Sequence, residues 1–521
     1  VKKLLIFTFA LNMQAFIRAQ TTIVPLNPNG VKTDEPCIAI HPLNPSIQIL
    51  GSNTSYFFTS QNGGYNWAPL KITPPEGFYG DPVVHITSTG DWYLLHLARN
   101  SKLEWPQTFD RIVFEKSNNL GLNWKSTGVG HNPGKMQDKP WIAVDENRKS
   151  PYNGRIYISW TEFDRYGSPK PEDSSRIRFA WSVNQGDSFS TVVVSDSCGD
   201  AVDGDNTLEG ATCAVGPKGE VYMAWAGKGK LWFDKSLDGG KTWGTDAAIE
   251  DQAGGWNNED IPGLMRANSM PFLSADKSGT LYLVFGDKRN GDYDVFVKVS
   301  QNGGKTWSPA MRLNNDALGN GKDQYMPAIC VDRTKNKLYA LWYDRSHSEN
   351  NIFTDVYLCP LGKVKQGNPM RVTNYPFCPP GKKVFFGDYI SVAAAGSEVR
   401  AAFAIFDSEK QISTVNIALL NDKIIRKYYN AEKPDFLEVA RLTDTALIGI
   451  HFRFSGVKTC TLEISRARQV FYRQLFDPLE KPEQEIMLPS SRFKSGVYKV
   501  TLSNKGRKIE KDLFLEAGKR D

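Results

Sequence analysis

The sequence predicts an all-β protein: a β-propeller, with seven blades favoured and six still open, followed by a small antiparallel β-sandwich. Three observations predict it. A turn motif recurs five times. Short apolar strands recur in pairs, roughly every 45 to 70 residues, around those turns. Residues 431–521 alternate as strands but contain no such turn. With 44 glycines, 13 tryptophans and 20 tyrosines, the composition suits many short strands and tight turns rather than long helices.

The turns read SQNGGYNW at 60–67, SNNLGLNW at 117–124, SVNQGDSF at 182–189, SLDGGKTW at 236–243 and SQNGGKTW at 300–307. The shared frame is Ser, any residue, Asn or Asp, any residue, Gly, two residues, then an aromatic. Asn or Asp bonds nearby backbone N–H groups, and Gly supplies a positive φ without steric cost. The closing aromatic is expected to plug the gap between neighbouring units. This frame is architecture, not chemistry.

Seven strand pairs fit the spacing, opening at Asp34, Asp81, Asp138, Glu209, Ser269, Tyr325 and Asp388. Each would form one small sheet that cannot bury both faces alone. Closing such sheets into a ring buries them against one another.

On these five turns, in register with the strands, the chain resembles the sialidase superfamily, whose Asp-box (BNR) repeats have this form. The likeness covers roughly residues 30–425. It implies a propeller with the turns at its periphery and a secreted, sialidase-like glycoside hydrolase acting on glycans at the central funnel. Two other functions stay open: a non-catalytic propeller that binds glycan or protein, and a polysaccharide lyase.

The chain ends carry separate signals. Residues 1–19 read as an export leader: Lys2 and Lys3, a mostly apolar run from Leu4 to Phe16, and a small residue, Ala19, before a cut that leaves Gln20. The expected location is therefore outside a bacterial cell, secreted or at its surface. The propeller is assigned to 20–430 and the sandwich to 431–521. The GVYKVTL segment and final apolar strand of the tail resemble C-terminal sorting domains of secreted Bacteroidota proteins. A plain accessory sandwich and a carbohydrate-binding module are the alternatives.

Net charge is +6, but Lys2, Lys3, Arg18 and the tail hold the excess, and no basic stripe appears. A nucleic-acid partner is not expected. After the leader no apolar run reaches transmembrane length. The expected partner is a glycan or polysaccharide substrate, bound by a monomer. The seven cysteines contain no C-x-x-C pair. Cys198 with Cys213, and Cys359 with Cys378, could each close a short loop, and buried thiols are equally compatible.

In a propeller, first-strand starts and second-strand ends meet at one mouth. Those positions carry Asp34, Asp81, Asp138, Glu209, Arg266, Asp323 and Asp388, then His96, Glu162, Asp287, Arg289, Tyr343, Asp344 and Arg345. The family resemblance implies an arginine triad for a substrate carboxylate, a Tyr/Glu nucleophile pair and an Asp acid. Its F/Y-R-I-P motif is absent, and Asp34-Glu35-Pro36-Cys37 puts acid where arginine is expected. The candidates from other blades are Arg266, Arg289 and Arg345 for the substrate. Tyr343 is the candidate nucleophile, with Glu162 or Glu209 as its base. Asp81 or Asp138 is the acid. Asp287 and Asp344 enter through the repeated FGDKR and WYDR segments. The plain alternative is that these charges brace blade edges. No cofactor is expected, apart from a possible Ca²⁺ among the loop carboxylates near Asp203 and Asp205. His85 and His96 are the pair a lyase would use.

Overall fold

The computed structural model describes residues 21–515, except 28–29, 106–107, 363–367, 409, 429–435, 443–446, 455–456, 458, 468, 479–482 and 505–506. The proposed leader and the 430/431 boundary fall outside the described residues.

The fold is all-β. Seven four-stranded antiparallel sheets form the blades, the third carrying one short extra strand. Their innermost strands are Cys37–Ile40, Val83–Ile86, Met136–Val144, Glu209–Val215, Phe272–Ala275, Gln324–Asp332 and Ser391–Ala395. Each packs against the next, and the seventh packs against the first, so the ring closes. Second strands such as Trp92–Leu97 and Val221–Gly227 are buried along their whole length. They lie sandwiched between blades, which explains their near-continuous apolar sequences. Among the described residues the one α-helix is short, Asp422–Tyr428.

Blade seven is completed from the other end of the chain. Its outer strand is Thr22–Leu26, antiparallel to Ile412–Asn421, with Thr22 opposite Leu419.

The repeated turns connect third and fourth strands. In blade four, Ser236 Oγ accepts from Gly240 N at 2.9 Å, and Asp238 Oδ1 accepts from Thr242 N at 3.0 Å. Gly240 has φ +90°, and a Cβ there would lie 2.4 Å from Phe179 in the preceding blade. The closing Trp243 packs edge-on against the same Phe179, ring centres 4.8 Å apart. Phe189 on Phe114 and Trp307 on Phe233 repeat the contact. The turn aromatics are thus inter-blade plugs.

The tail is a two-sheet sandwich. Strands Phe436–Leu442, Leu447–Arg453 and Glu483–Pro489 face the sheet of Cys460–Arg466, Gln469–Phe476, Gly496–Asn504 and Arg507–Leu515 around a core that includes Ile450, Phe452, Leu462 and Val500. It is docked on blade six. Glu485 accepts from Ser348 Oγ at 2.7 Å, and Phe353 packs against His451 with ring centres 5.2 Å apart. All seven cysteines are free thiols, so neither loop-closing pair forms. Among the described residues no helix is long and apolar enough to cross a membrane.

Candidate functional site

The inner strands reach the funnel through a repeated kink. Glu35, Asp81, Lys139 and Met326 each precede a proline and each take φ between 48° and 50°. Proline has no N–H for the ladder, so pairing breaks there. Strand register slips between Asp138 and Trp141, and between Tyr325 and Ala328, and a matching slip surrounds Gly210 in blade four. Ordinary strand alternation would send successive side chains to opposite faces. The bulge instead turns both Asp138 and Lys139 into one cavity. A left-handed non-glycine residue costs on the order of 1–3 kcal/mol, and such strain concentrates where side chains must be aimed.

The cavity measures about 430 Å³. Its acidic lining comprises Glu35, Asp81, Asp138, Asp203, Glu209 and Asp388, against two cations, Lys139 and Arg266. Tyr79, Trp105, Phe109, Tyr166 and Phe385 supply aromatic walls. Tyr79 and Trp105 are the open rim, 47% and 61% exposed.

Arg266 is presented by a short hairpin, Asn257–Asn258 with Ala267–Asn268, inserted ahead of blade five. Its Nε and Nη2 donate to the two oxygens of Asp388, and Nη1 donates to Asp203 Oδ2 at 2.7 Å. These carboxylates, led by Asp388, raise its pKa further. Tyr166 also donates its hydroxyl proton to Asp203 Oδ2, at 2.5 Å. Tyr389 donates to Asp81 Oδ1 at 3.3 Å, and the Lys139 ammonium sits 3.5 Å from the centre of the Tyr389 ring.

Burial raises the proton affinity of several cavity carboxyls. Removal from water, then the charges of Asp81 and Glu209, push Asp138 well above the usual carboxylate range. Burial, then Asp203, raises Glu209; burial, then Asp81 and Asp388, raises Glu35. Tyr166 is raised by burial and by Asp138 and Asp203, so it stands as a neutral phenol.

Of the residues predicted from sequence, Asp81, Asp138, Asp203, Glu209, Arg266 and Asp388 line this cavity and the others do not. Tyr343 as nucleophile is corrected. It is 1% exposed, and its hydroxyl donates to Ala404 O at 2.9 Å and accepts from Ala404 N at 3.0 Å. Glu162 is not its base; it braces Arg176 and Arg178 within blade three. The arginine triad does not assemble either. Arg289 pairs with Asp287 and Glu250, and Arg345 donates to the carbonyls of Pro262 and Asn351. Asp344 accepts from Trp342 Nε1 and Ser346 N. Asp287 and Asp344 therefore serve their own blade edges, as the plain alternative held.

His85 and His96 do not form a pair. His85 Nε2 lies 3.7 Å from Glu146, whereas His96 is fully buried against Phe78. Asp203 and Asp205 diverge, Asp203 toward Arg266 and Asp205 onto Asn257 N. Among the described residues no three His, Cys, Asp or Glu side chains are placed to hold a metal ion.

Sequence reasoning missed Glu35, Lys139, Tyr166 and the aromatic rim. Tyr166 lies three positions past the end of the second strand of blade three, Ile156–Phe163. Lys139 was hidden because alternation sends it away from Asp138.

No protein-family model matches the chain, and no curated protein matches it. Solved structures do. A polysaccharide lyase of family PL25, an ulvan lyase, is 11% identical over 77% of this chain and 96% of its own, with TM-score 0.46. The Penicillium chrysogenum α-L-arabinanase is 14% identical over 67% and 96%, with TM-score 0.44. The NanB sialidase of Streptococcus pneumoniae is 9% identical over 73% and 84%, with TM-score 0.42. At such distance these likenesses say nothing about this chain's substrate.

Proposed function

We propose that the protein is a glycoside hydrolase acting on a glycan held in the funnel, and that its site is built from Tyr166, Asp203 and Asp138. One observation carries the reading. A single cavity holds a carboxyl whose proton affinity is raised, Asp138, and a tyrosine hydroxyl already hydrogen-bonded to a carboxylate, Tyr166 on Asp203. Glycoside cleavage needs those two parts: a proton donor for the leaving oxygen, and a nucleophile with a base for its proton.

In this scheme Asp138 protonates the glycosidic oxygen. The Tyr166 oxygen bonds to the anomeric carbon as the glycosidic bond breaks, and its proton passes to Asp203. Water then attacks the anomeric carbon and gives its proton to Asp138, while the Tyr166 oxygen leaves and takes its proton back from Asp203. Tyr79 and Trp105 supply apolar faces on which a sugar ring stacks. Sialic acid itself fits poorly, because all three Arg266 nitrogens already face carboxylates.

The test is a glycan panel read for new reducing ends and for unsaturated products. Asp138→Asn and Tyr166→Phe should each remove turnover while leaving the melting temperature within a few degrees. A 2-fluoro glycoside inactivator should label Tyr166, seen by peptide mass. Turnover surviving in both variants, or unsaturated products alone, overturns the scheme.

A further inference from the structure

The charge balance of the funnel goes further than the reaction class. Six carboxyl side chains line the cavity against two cations. Neither cation is left over for an anionic ligand. The three Arg266 nitrogens face Asp388 and Asp203, and the Lys139 ammonium is held on the ring of Tyr389.

Glu209 is the unexplained group. It is 2% exposed and lines the cavity. Its Oε1 takes a hydrogen bond from Gly210 N at 3.4 Å, but its Oε2 has no partner among the described residues. Leaving a buried carboxylate oxygen unsatisfied is costly. The arrangement becomes favourable when a ligand brings donors and positive charge. A neutral hydroxyl brings one donor together with lone pairs that face the carboxylates. An ammonium brings three donors, no acceptor and a full charge at one point. The exposed faces of Trp105 and Tyr79 at the rim suit a cation as well as a sugar ring.

We propose that the glycan held in the funnel carries a free amino group, bound between Glu209 and the neighbouring carboxyls of Asp138 and Asp203. The proposal rests on the funnel being a glycan site. It narrows the substrate class to amine-bearing sugars, in place of neutral, N-acetylated or acidic ones.

The test is calorimetric titration of the full chain with three tetrasaccharides of one backbone: the β-1,4-glucosamine oligomer, its N-acetylated counterpart and the glucose oligomer. Methyl glycosides of galactosamine and mannosamine extend the set to other configurations. A member with a free amine is expected to bind at least about tenfold tighter than its N-acetylated twin. Glu209→Gln should erase that preference. If the variant does not fold, the wild-type preference decides alone. Equal affinity for amine and acetamide, no binding by any member, or binding of calcium alone that Glu209→Gln removes, each overturns the proposal. The two readings fail separately. Hydrolysis of a neutral oligosaccharide without amine preference removes the amine and leaves the hydrolase. Amine-selective binding without turnover of any bound glycan does the reverse.

Discussion

Arg266 holds Asp388 through two parallel hydrogen bonds, Nε to Oδ1 at 2.9 Å and Nη2 to Oδ2 at 2.5 Å. The pair joins the hairpin before blade five to the start of blade seven, across the funnel. Removing the arginine strands two carboxylates, Asp388 and Asp203, in a poorly solvated site. Arg266→Ala is therefore expected to lose about 3 kcal/mol at neutral pH. The loss should shrink in acid, where protons replace the missing charge. Urea denaturation at two pH values measures both. Arg266→Lys keeps the charge without the fork and should fall between.

Asp344 gives a pH signature of its own. Burial pushes its carboxyl from 3.8 up to about 6, although Ser346 and Trp342 donate to it. The folded chain then keeps a proton that the unfolded chain releases. Stability falls as pH rises from about 4 through 6, by about 3 kcal/mol in all, and the loss is complete above that window. Asp344→Asn carries no such proton. The difference in melting temperature between variant and wild type should grow in the variant's favour across that window and stay constant above it.

The turn glycines separate backbone strain from packing. Gly240 has φ +90°, and a methyl group on its Cα would lie 2.4 Å from Phe179, whereas Gly229 has φ +68° and nothing within 4 Å. Gly229→Ala is expected to cost about 1 kcal/mol, from the backbone alone. Gly240→Ala adds a clash at the blade interface and should cost about 3 kcal/mol. Urea denaturation of the two variants gives the comparison, and equal losses would mean that the interface yields easily.

Tyr343 tests the corrected assignment. Tyr343→Phe leaves both backbone groups of Ala404 without their partner, so about 2 kcal/mol of stability should be lost. Turnover per folded molecule should be unchanged. A large fall in turnover at unchanged stability would return this residue to the mechanism.

The ring was legible because strand pairs and turns are local and repeat. Ser, Asn and Gly at fixed offsets read as the same turn each time, and hydrogen bonds such as Gly121 N to Ser117 Oγ at 3.0 Å realise it. The funnel was half legible. Positions at the starts of inner strands led to Asp81, Asp138 and Glu209, since backbone order alone puts them at the mouth. Second-strand ends led astray at Tyr343 and Arg345, because strand order fixes height along the funnel but not the direction of a side chain. Lys139 needed the left-handed kink before Pro140, which no periodicity reveals.

The strand Thr22–Leu26 has a consequence for how the molecule forms. Its partner lies almost four hundred positions later, as Ile23 opposite Ala418 shows. Such a contact has the highest loop-closure entropy in the propeller, and folding slows as contacts become less local. The strand Thr22–Leu26 must wait for the last blade. Until then the ring is an open arc, with the inner strands of blades one and seven unmated. Blades built from local hairpins can condense early, but the clasp can shut only once residues 412–421 have been made. Maturation of this fold is therefore a single late event, and a chain that lacks residues 22–26 should persist as an unclosed, aggregation-prone arc.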